Sequence, residues 1–71
     1  MDHEAYQSTI LGLLKHCDYR PAALARLTQQ RLSWAGAWWH PAVYAWTLKV
    51  LLTRGQIRLR GWWRVWYTLL H

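Results

Sequence analysis

The sequence predicts a mainly helical domain that ends in a β-hairpin. Apolar residues recur at helical spacing through residues 3–54, and two prolines, Pro21 and Pro41, mark helix starts. After Gly55 the apolar residues alternate with polar ones, which is typical of strands. The chain has 71 residues, which suffices for one domain at most. We therefore predict a single domain over residues 1–71, with three helices followed by a hairpin.

Helix 1 is predicted over about residues 3–17, and helix 2 over about residues 21–32. In helix 1 the acidic residues precede the basic ones, which the helix dipole favours. Pro21 suits the first position of helix 2, because a backbone N–H at that position would have no acceptor within the helix and proline lacks this N–H. The predicted apolar stripe of helix 1 consists of Tyr6, Ile10, Leu13, Leu14 and Cys17.

Residues 33–40 are predicted as an aromatic link, and residues 41–54 as helix 3. Pro41 begins this helix, and Gly55 follows it where a left-handed residue is expected. One side, with Tyr44, Leu48, Leu51 and Leu52, is predicted to face the core. The outward-facing or flanking residues are Val43, Trp46, Lys49, Val50 and Thr53.

The hairpin is predicted over residues 56–69, and two registers were compared for it. A two-residue turn at 61–62 would mix apolar and basic side chains on each face. A three-residue loop at 61–63 separates them, which a sheet with one buried face favours. We therefore predict the three-residue loop. It pairs Arg60 with Arg64, Leu59 with Val65, Arg58 with Trp66 and Ile57 with Tyr67.

This register gives the hairpin a basic and aromatic outer face. Arg60 and Arg64 would lie directly opposite each other and repel, and a bound anion would reverse that effect. Arg58 could stack on Trp66 and keep its guanidinium edge outward. The outer face and tip are therefore predicted to contact an anion beside flat aromatic surface. Their residues are Arg58, Arg60, Trp62, Trp63, Arg64 and Trp66.

The charge balance also indicates an anionic partner. Lys and Arg number 9 against 3 Asp and Glu, which gives a net charge of +6. Nucleic acid and a lipid surface are the two partners that such a charge favours, and solubility alone is the simpler explanation. The least polar window, residues 34–52, includes Lys49, so we expect no membrane-spanning segment.

The single cysteine and the N-terminal residues favour a cytoplasmic location. Cys17 has no second cysteine with which to form an intramolecular disulfide, which fits a reducing compartment. Asp2 and Glu4 make the N-terminus acidic, so no signal peptide is expected.

The segments "PAALARL" and "PAVYAWTLKVLLTRGQIRLRGWWRVWY" resemble the winged helix-turn-helix superfamily of DNA-binding proteins. The shared features are an Ala-Leu-Ala second helix, an apolar side on helix 3, and "TRGQI" leading into the hairpin. The resemblance covers nearly the whole chain and matches no specific family within the superfamily. The link over residues 33–40 is longer than the tight turn that usually joins the second and third helices.

The resemblance implies that helix 3 enters the DNA major groove and that the hairpin acts as the wing. The wing arginines Arg58, Arg60 and Arg64 would then contact phosphates or enter the minor groove. Phosphate contacts position a protein without reading sequence. The outward face of helix 3 lacks the Arg, Asn and Gln that read base edges, so phosphate should supply most of the affinity. We thus expect a double-stranded DNA-binding transcriptional regulator, of phage or mobile-element type.

The tryptophans offer an alternative function. The chain contains 7 of them, and Trp34, Trp38 and Trp39 of the link are a candidate protein interface for an adaptor or inhibitor, or for a homodimer. A lipid interface is less favoured, because an interfacial segment needs no hairpin register. The histidine and cysteine spacings fit no zinc pattern, and no catalytic arrangement is evident, so neither an enzyme nor a cofactor is expected.

Overall fold

Three helices and a C-terminal antiparallel hairpin make up the fold, as the sequence predicts. The structure is a computed structural model that describes residues 3–61 and 65–70. Within these residues no helix has the length and apolar character needed to cross a bilayer. The helices are α1 (His3–Leu14), α2 (Pro21–Trp34) and α3 (Pro41–Thr53), and the strands are β1 (Ile57–Arg60) and β2 (Trp66–Leu69).

The first two helices end at other residues than predicted. α1 ends at Leu14 rather than at residue 17. At Arg20 the backbone is extended, with a φ of −69° and a ψ of 153° that are typical of a residue before proline. α2 continues to Trp34 because Gly36, at φ 79°, ends it in a left-handed conformation. The Gly36 N–H donates to the Ser33 carbonyl at 3.0 Å, as in a Schellman motif.

α3 ends as the sequence predicts. Gly55 follows it with φ 75°, and the Gln56 N–H donates to the Leu51 carbonyl at 3.0 Å. This is again a Schellman motif. It fixes the direction in which β1 leaves α3, because the left-handed residue turns the chain away from the helix axis.

Replacing Gly55 by alanine is expected to destabilise the fold by about 1–2 kcal/mol, because an L-residue is strained at positive φ. A Cβ at this position would meet nothing within 4 Å, so the cost comes from the backbone alone. Gly12→Ala is the matched control: it also meets nothing within 4 Å, but it lies inside α1 and should stabilise the helix. Urea denaturation measures both changes, and a stabilising Gly55→Ala would contradict this account of the α3 end.

The core lies between α1 and its neighbours. α1 packs against both α2 and α3, β1 packs on α3, and β2 contacts α1 and α2. The predicted helix 1 stripe is buried except for Cys17, which lies beyond the helix end and is exposed. Leu52 is only half-buried, and Thr47 is buried in α3 instead, where its hydroxyl donates to the Val43 carbonyl at 2.7 Å. The buried apolar cluster consists of Tyr6, Ile10, Leu13, Leu14, Leu24, Leu32, Tyr44, Leu48, Leu51 and Ile57.

The predicted hairpin register is wrong by two residues. Arg60 pairs with Trp66, so the opposition of Arg60 to Arg64 and the pairing of Arg58 with Trp66 are both wrong, and β1 ends at Arg60 while β2 begins at Trp66. Because the shift is even, every side chain keeps its predicted face. Trp62, Trp63 and Arg64 lie outside the described residues. The observed pairs are Ile57 with Leu69, Arg58 with Thr68, Leu59 with Tyr67 and Arg60 with Trp66.

A second partner of β2 explains this register. Tyr19, in the link between α1 and α2, forms a bridge with Tyr67 on the edge of β2 that faces away from β1. The Tyr67 N–H donates to the Tyr19 carbonyl at 2.8 Å, and the Tyr19 N–H donates back at 3.3 Å. This long-range bridge fixes β2 relative to the helices, so turn length alone does not decide the pairing.

The apolar underside of the hairpin is less buried than predicted. Ile57 is 1% exposed, but Leu59 is 47% exposed because the core reaches β1 only at its first residue. Tyr67 and Leu69 are half-buried. The buried face therefore anchors the start of β1 and leaves its end in solvent.

Candidate nucleic-acid interface

The outward side of α3 carries the residues that the sequence assigned to a recognition helix. Trp46, Lys49 and Thr53 are exposed, while Val43 and Val50 are half-buried. The last two turns form a shallow depression of about 340 Å³ that also includes Arg54. We call the residues that line it the α3 surface: Trp46, Lys49, Val50, Thr53 and Arg54.

The chemistry of the α3 surface favours phosphate over base edges. Lys49 and Arg54 supply two cations beside the Trp46 indole. The Thr53 hydroxyl donates to the Lys49 carbonyl at 2.8 Å, so its one donor is already used within the helix. The hydroxyl can still accept a bond. Lys49 and Arg54 could each contact guanine, but this surface offers no Asn or Gln, the side chains that read adenine with two bonds.

Trp46 is held from its other side by α1. The His3 ring meets it edge to face, with centroids 5.3 Å apart and an interplanar angle of 85°. His3, Ala42, Val43 and Trp46 enclose an apolar hollow of about 320 Å³. The indole therefore separates an apolar first half of the outward side of α3 from a basic second half.

The hairpin presents a second basic surface. Successive side chains of a strand alternate between faces, so Arg58 and Arg60 of β1 share the outer face with Trp66 of β2. Arg58, Arg60 and Trp66 are all exposed. Arg20 joins them because the bridge between Tyr19 and Tyr67 draws its link alongside β2. We call these four residues, Arg20, Arg58, Arg60 and Trp66, the outer hairpin surface.

Trp66 lies between two arginines on this surface. Arg60 is its cross-strand partner, and the Arg20 guanidinium carbon lies 5.2 Å from the centroid of its ring. A cation at this distance over tryptophan is attracted by about 0.5–1 kcal/mol where the site is exposed. The stacking partner that the sequence assigned to Trp66 was Arg58, and the structure places Arg20 there instead.

One acidic residue contacts the outer hairpin surface. The Asp18 Oδ2 lies 3.3 Å from Arg60 Nη1, with the two side chains 35% and 61% exposed. This is the one ion pair found within residues 3–61 and 65–70. Exposed pairs of this kind contribute little to stability. Within the described residues Arg20 and Arg58 form no ion pair, so their charges remain available to an external partner.

Arg20 and Arg54 are site residues that sequence reasoning missed. Arg54 ends α3 as its C-cap, so its side chain belongs to the same depression as Lys49. Arg20 precedes Pro21, and residues before proline favour extended conformations that can join a sheet edge. The sequence shows the proline after Arg20, but it does not show that this segment lies beside β2.

The aromatic link divides its tryptophans between core and solvent. Trp39 is half-buried and packs against Tyr6 and Tyr44, with ring centroids 5.9 and 5.1 Å apart. Trp38 is 83% exposed, and Trp34 at the end of α2 is 74% exposed. Of the three predicted interface residues, two therefore face solvent and one is part of the packing. We call Trp34 and Trp38 the Trp surface.

Hydrogen bonds from a buried side chain hold this link in place. The Tyr6 hydroxyl donates to the Trp38 carbonyl at 2.6 Å and accepts from the His40 N–H at 2.7 Å. No Lys, Arg, Asp or Glu occurs in residues 32–48. The two residues of the Trp surface are themselves apolar, in contrast to the cations of the two basic surfaces.

Comparison with protein-family models, with curated proteins and with solved structures finds no match for this chain. Within the described parts of the chain, no three metal-binding side chains come together. A functional assignment therefore depends on the surfaces of this chain itself, and its resemblance to winged helix-turn-helix proteins stays a prediction.

Proposed function

We propose that this chain is a small protein that binds double-stranded DNA mainly through phosphate contacts. The observation that carries the proposal is the outer hairpin surface, where Arg20, Arg58 and Arg60 surround the exposed Trp66. Arginine suits phosphate because its planar fork donates two parallel bonds. A transcriptional regulator of phage or mobile-element type, acting in the cytoplasm, is the biological role that we favour.

The α3 surface would supply the second part of the contact. A helix with its side chains is about 10–12 Å wide, which fits a major groove about 12 Å across. Lys49 and Arg54 would reach phosphates at the groove edge, and Trp46 could make apolar contact with thymine methyl groups. Thr53 uses its donor internally, and we place Lys49 and Arg54 on phosphates rather than on guanine edges. Base reading should therefore be weak, and A·T preference or DNA shape should matter more.

An NMR titration with a random-sequence duplex tests this proposal. We expect the indole N–H signals of Trp46 and Trp66 to shift during the titration, because both rings lie among the proposed phosphate contacts. The signals of Trp34 and Trp38 should stay in place and serve as the internal control. Single Trp→Phe variants assign each signal. Shifts confined to Trp34 and Trp38 would contradict the proposal.

Protein binding is the second candidate function, and the Trp surface favours it. Trp34 and Trp38 are the most exposed of the large apolar residues described. Tryptophan is enriched at the energetic centres of protein interfaces. The link that displays Trp38 is fixed by the Tyr6 hydroxyl, so binding would cost little ordering of the backbone. An adaptor, an inhibitor or a homodimer would each use the Trp surface.

Replacing Trp38 by alanine should separate the two candidate functions. Because the side chain is 83% exposed, we expect the free energy of unfolding to change by no more than about 0.5 kcal/mol. Duplex affinity should be retained, and any self-association seen by sedimentation velocity should be lost. Trp39→Ala is an unsuitable test of an interface, because removing its stacking on Tyr6 and Tyr44 should destabilise the fold. A Trp38→Ala variant that no longer binds duplex would contradict the assignment of Trp38 to a protein surface.

A further inference from the structure

We infer that Arg20 and Arg60 together form a binding site for one DNA backbone phosphate beside Trp66, and that the Asp18 carboxylate occupies part of this site in the free protein. The inference rests on the proposed function, because the phosphate in question belongs to duplex DNA. It adds an intramolecular competitor, Asp18, to that function.

The bridge to β2 brings the members of this site together. Asp18 and Arg20 flank Tyr19, and residues two apart in an extended segment point to the same side. That side is also the outer face of the hairpin, because Arg20 lies over Trp66 and Asp18 contacts Arg60. The α1–α2 link therefore contributes one cation and one anion to a surface that β1 and β2 otherwise build.

Arg20 keeps donors for a ligand while it stacks. The contact with Trp66 is a cation–π contact at 5.2 Å between the guanidinium carbon and the ring centroid, and such a contact does not require the N–H donors. Within the described residues, no acceptor takes a hydrogen bond from the Arg20 side chain. The indole thus attracts the guanidinium, and the N–H donors of Arg20 remain available to a phosphate oxygen.

Arg60 is only loosely held by Asp18. The one contact is 3.3 Å long, whereas charge-assisted N–H···O bonds are usually about 2.7–2.9 Å. The Arg60 side chain remains 61% exposed, so water reaches it freely. A phosphate that accepts hydrogen bonds from both Arg60 and Arg20 would make more bonds than this single contact. The carboxylate should therefore yield to phosphate, but its charge would still oppose binding.

Asp18→Asn tests the competition directly, with Glu4→Gln as the matched control. Both changes remove one negative charge, but Glu4 lies exposed in the first turn of α1 and makes no ion pair within the described residues. We expect Asp18→Asn to bind a random duplex roughly five-fold more tightly, the effect of one unit charge at about 4 Å in water. Glu4→Gln should change affinity by less than two-fold. In an Arg60→Ala background, the advantage of Asp18→Asn should be smaller, because the carboxylate no longer competes for an arginine of the site.

Arg20→Ala tests the cationic half of the site. We expect a several-fold loss of duplex affinity. The log–log salt dependence should become shallower by less than the roughly 0.9 of a whole phosphate contact, because Arg60 still holds the shared phosphate. Arg26→Ala, which removes an exposed arginine from α2, should leave both quantities nearly unchanged. On the wild-type protein, the Nε–H signals of Arg20 and Arg60 should shift together when duplex is added, so the test does not depend on variants folding.

The outcomes distinguish this inference from the proposed function. If wild-type protein binds duplex with a steep salt dependence but Asp18→Asn binds no more tightly than Glu4→Gln, the competition is wrong and the proposed function survives. If Arg20→Ala matches Arg26→Ala, Arg20 is not a phosphate ligand. If wild-type protein does not bind duplex at all, the proposed function and this inference both fail.

Discussion

Replacing Arg20, Arg58 and Arg60 together by alanine should lower the affinity for duplex DNA by about 100-fold or more at 0.1 M salt. Each phosphate contact releases counterions. Arg20 and Arg60 share one phosphate and Arg58 holds another, so the two lost contacts should also make the log–log salt dependence shallower by about 1.8. Fluorescence anisotropy with a labelled random duplex measures both quantities. The effect should be similar for all sequences, because phosphate contacts carry no sequence information.

The matched control for this triple variant replaces the same arginines by lysine. Lysine keeps the charge but loses the planar fork, so the salt dependence should remain close to that of the wild-type protein while affinity falls modestly. Neither variant should be much less stable, because the one ion pair in which these arginines take part within the described residues is exposed. A triple-alanine variant that binds like the wild-type protein would exclude the outer hairpin surface as the binding site.

Replacing Tyr6 by phenylalanine is expected to lower the free energy of unfolding by about 1–3 kcal/mol. The Tyr6 hydroxyl donates to the Trp38 carbonyl and accepts from the His40 N–H. Its removal deprives both backbone groups of this hydrogen-bond partner. Tyr6 is 1% exposed, and so large a change is serious for a domain of this size. Urea denaturation measures the effect.

Tyr44→Phe is the matched control for Tyr6→Phe, and it should be neutral or stabilising. Within the described residues the Tyr44 hydroxyl is buried without a hydrogen-bond partner, so removing it abolishes a desolvation cost. Burial, with Tyr67 nearby, raises the pKa of the Tyr44 phenol well above its usual range. In the wild-type protein the unfolded phenol should therefore ionise first, and stability should decline as pH rises above about 10. Equal losses in both tyrosine variants would contradict the proposed role of Tyr6.

The three helices could be predicted because their signals are local. Pro21 and Pro41 begin α2 and α3, and Gly55 ends α3 in a left-handed conformation, as expected from neighbouring residues alone. Gly36 likewise ends α2 in a left-handed conformation, but the polar Ser33 predicts an earlier end for this helix. That prediction is wrong because a single serine near a helix end does not stop a helix.

The hairpin register could not be predicted from the hairpin. The separation of apolar and basic faces allows any even shift, so pattern alone left several registers equivalent. The bridge between Tyr19 and Tyr67 selects one of them, and it joins residues far apart in sequence. The same contact places Arg20 over Trp66 and Asp18 beside Arg60, so the composition of the site also depends on tertiary structure.

The sequence also could not predict which tryptophan of the link packs against the core and which faces solvent. Trp38 and Trp39 are identical neighbours, and the sequence alone does not state which one faces the core. Trp39 does so because Tyr6 and Tyr44 offer it two aromatic faces, and Trp38 is then directed to solvent. The basic surfaces and the Trp surface use different residues, so the two candidate functions can be tested in separate variants.

The dependence of duplex affinity on salt tests the central claim most directly. The α3 surface and the outer hairpin surface together present five cations in the described residues: Arg20, Lys49, Arg54, Arg58 and Arg60. Arg20 and Arg60 share one phosphate, so these cations make four phosphate contacts. With about 0.9 per contact, we expect the plot of log affinity against log salt to have a slope of about −3 to −4. A slope near zero, or no measurable binding at low salt, would contradict the claim that these surfaces bind the phosphate backbone.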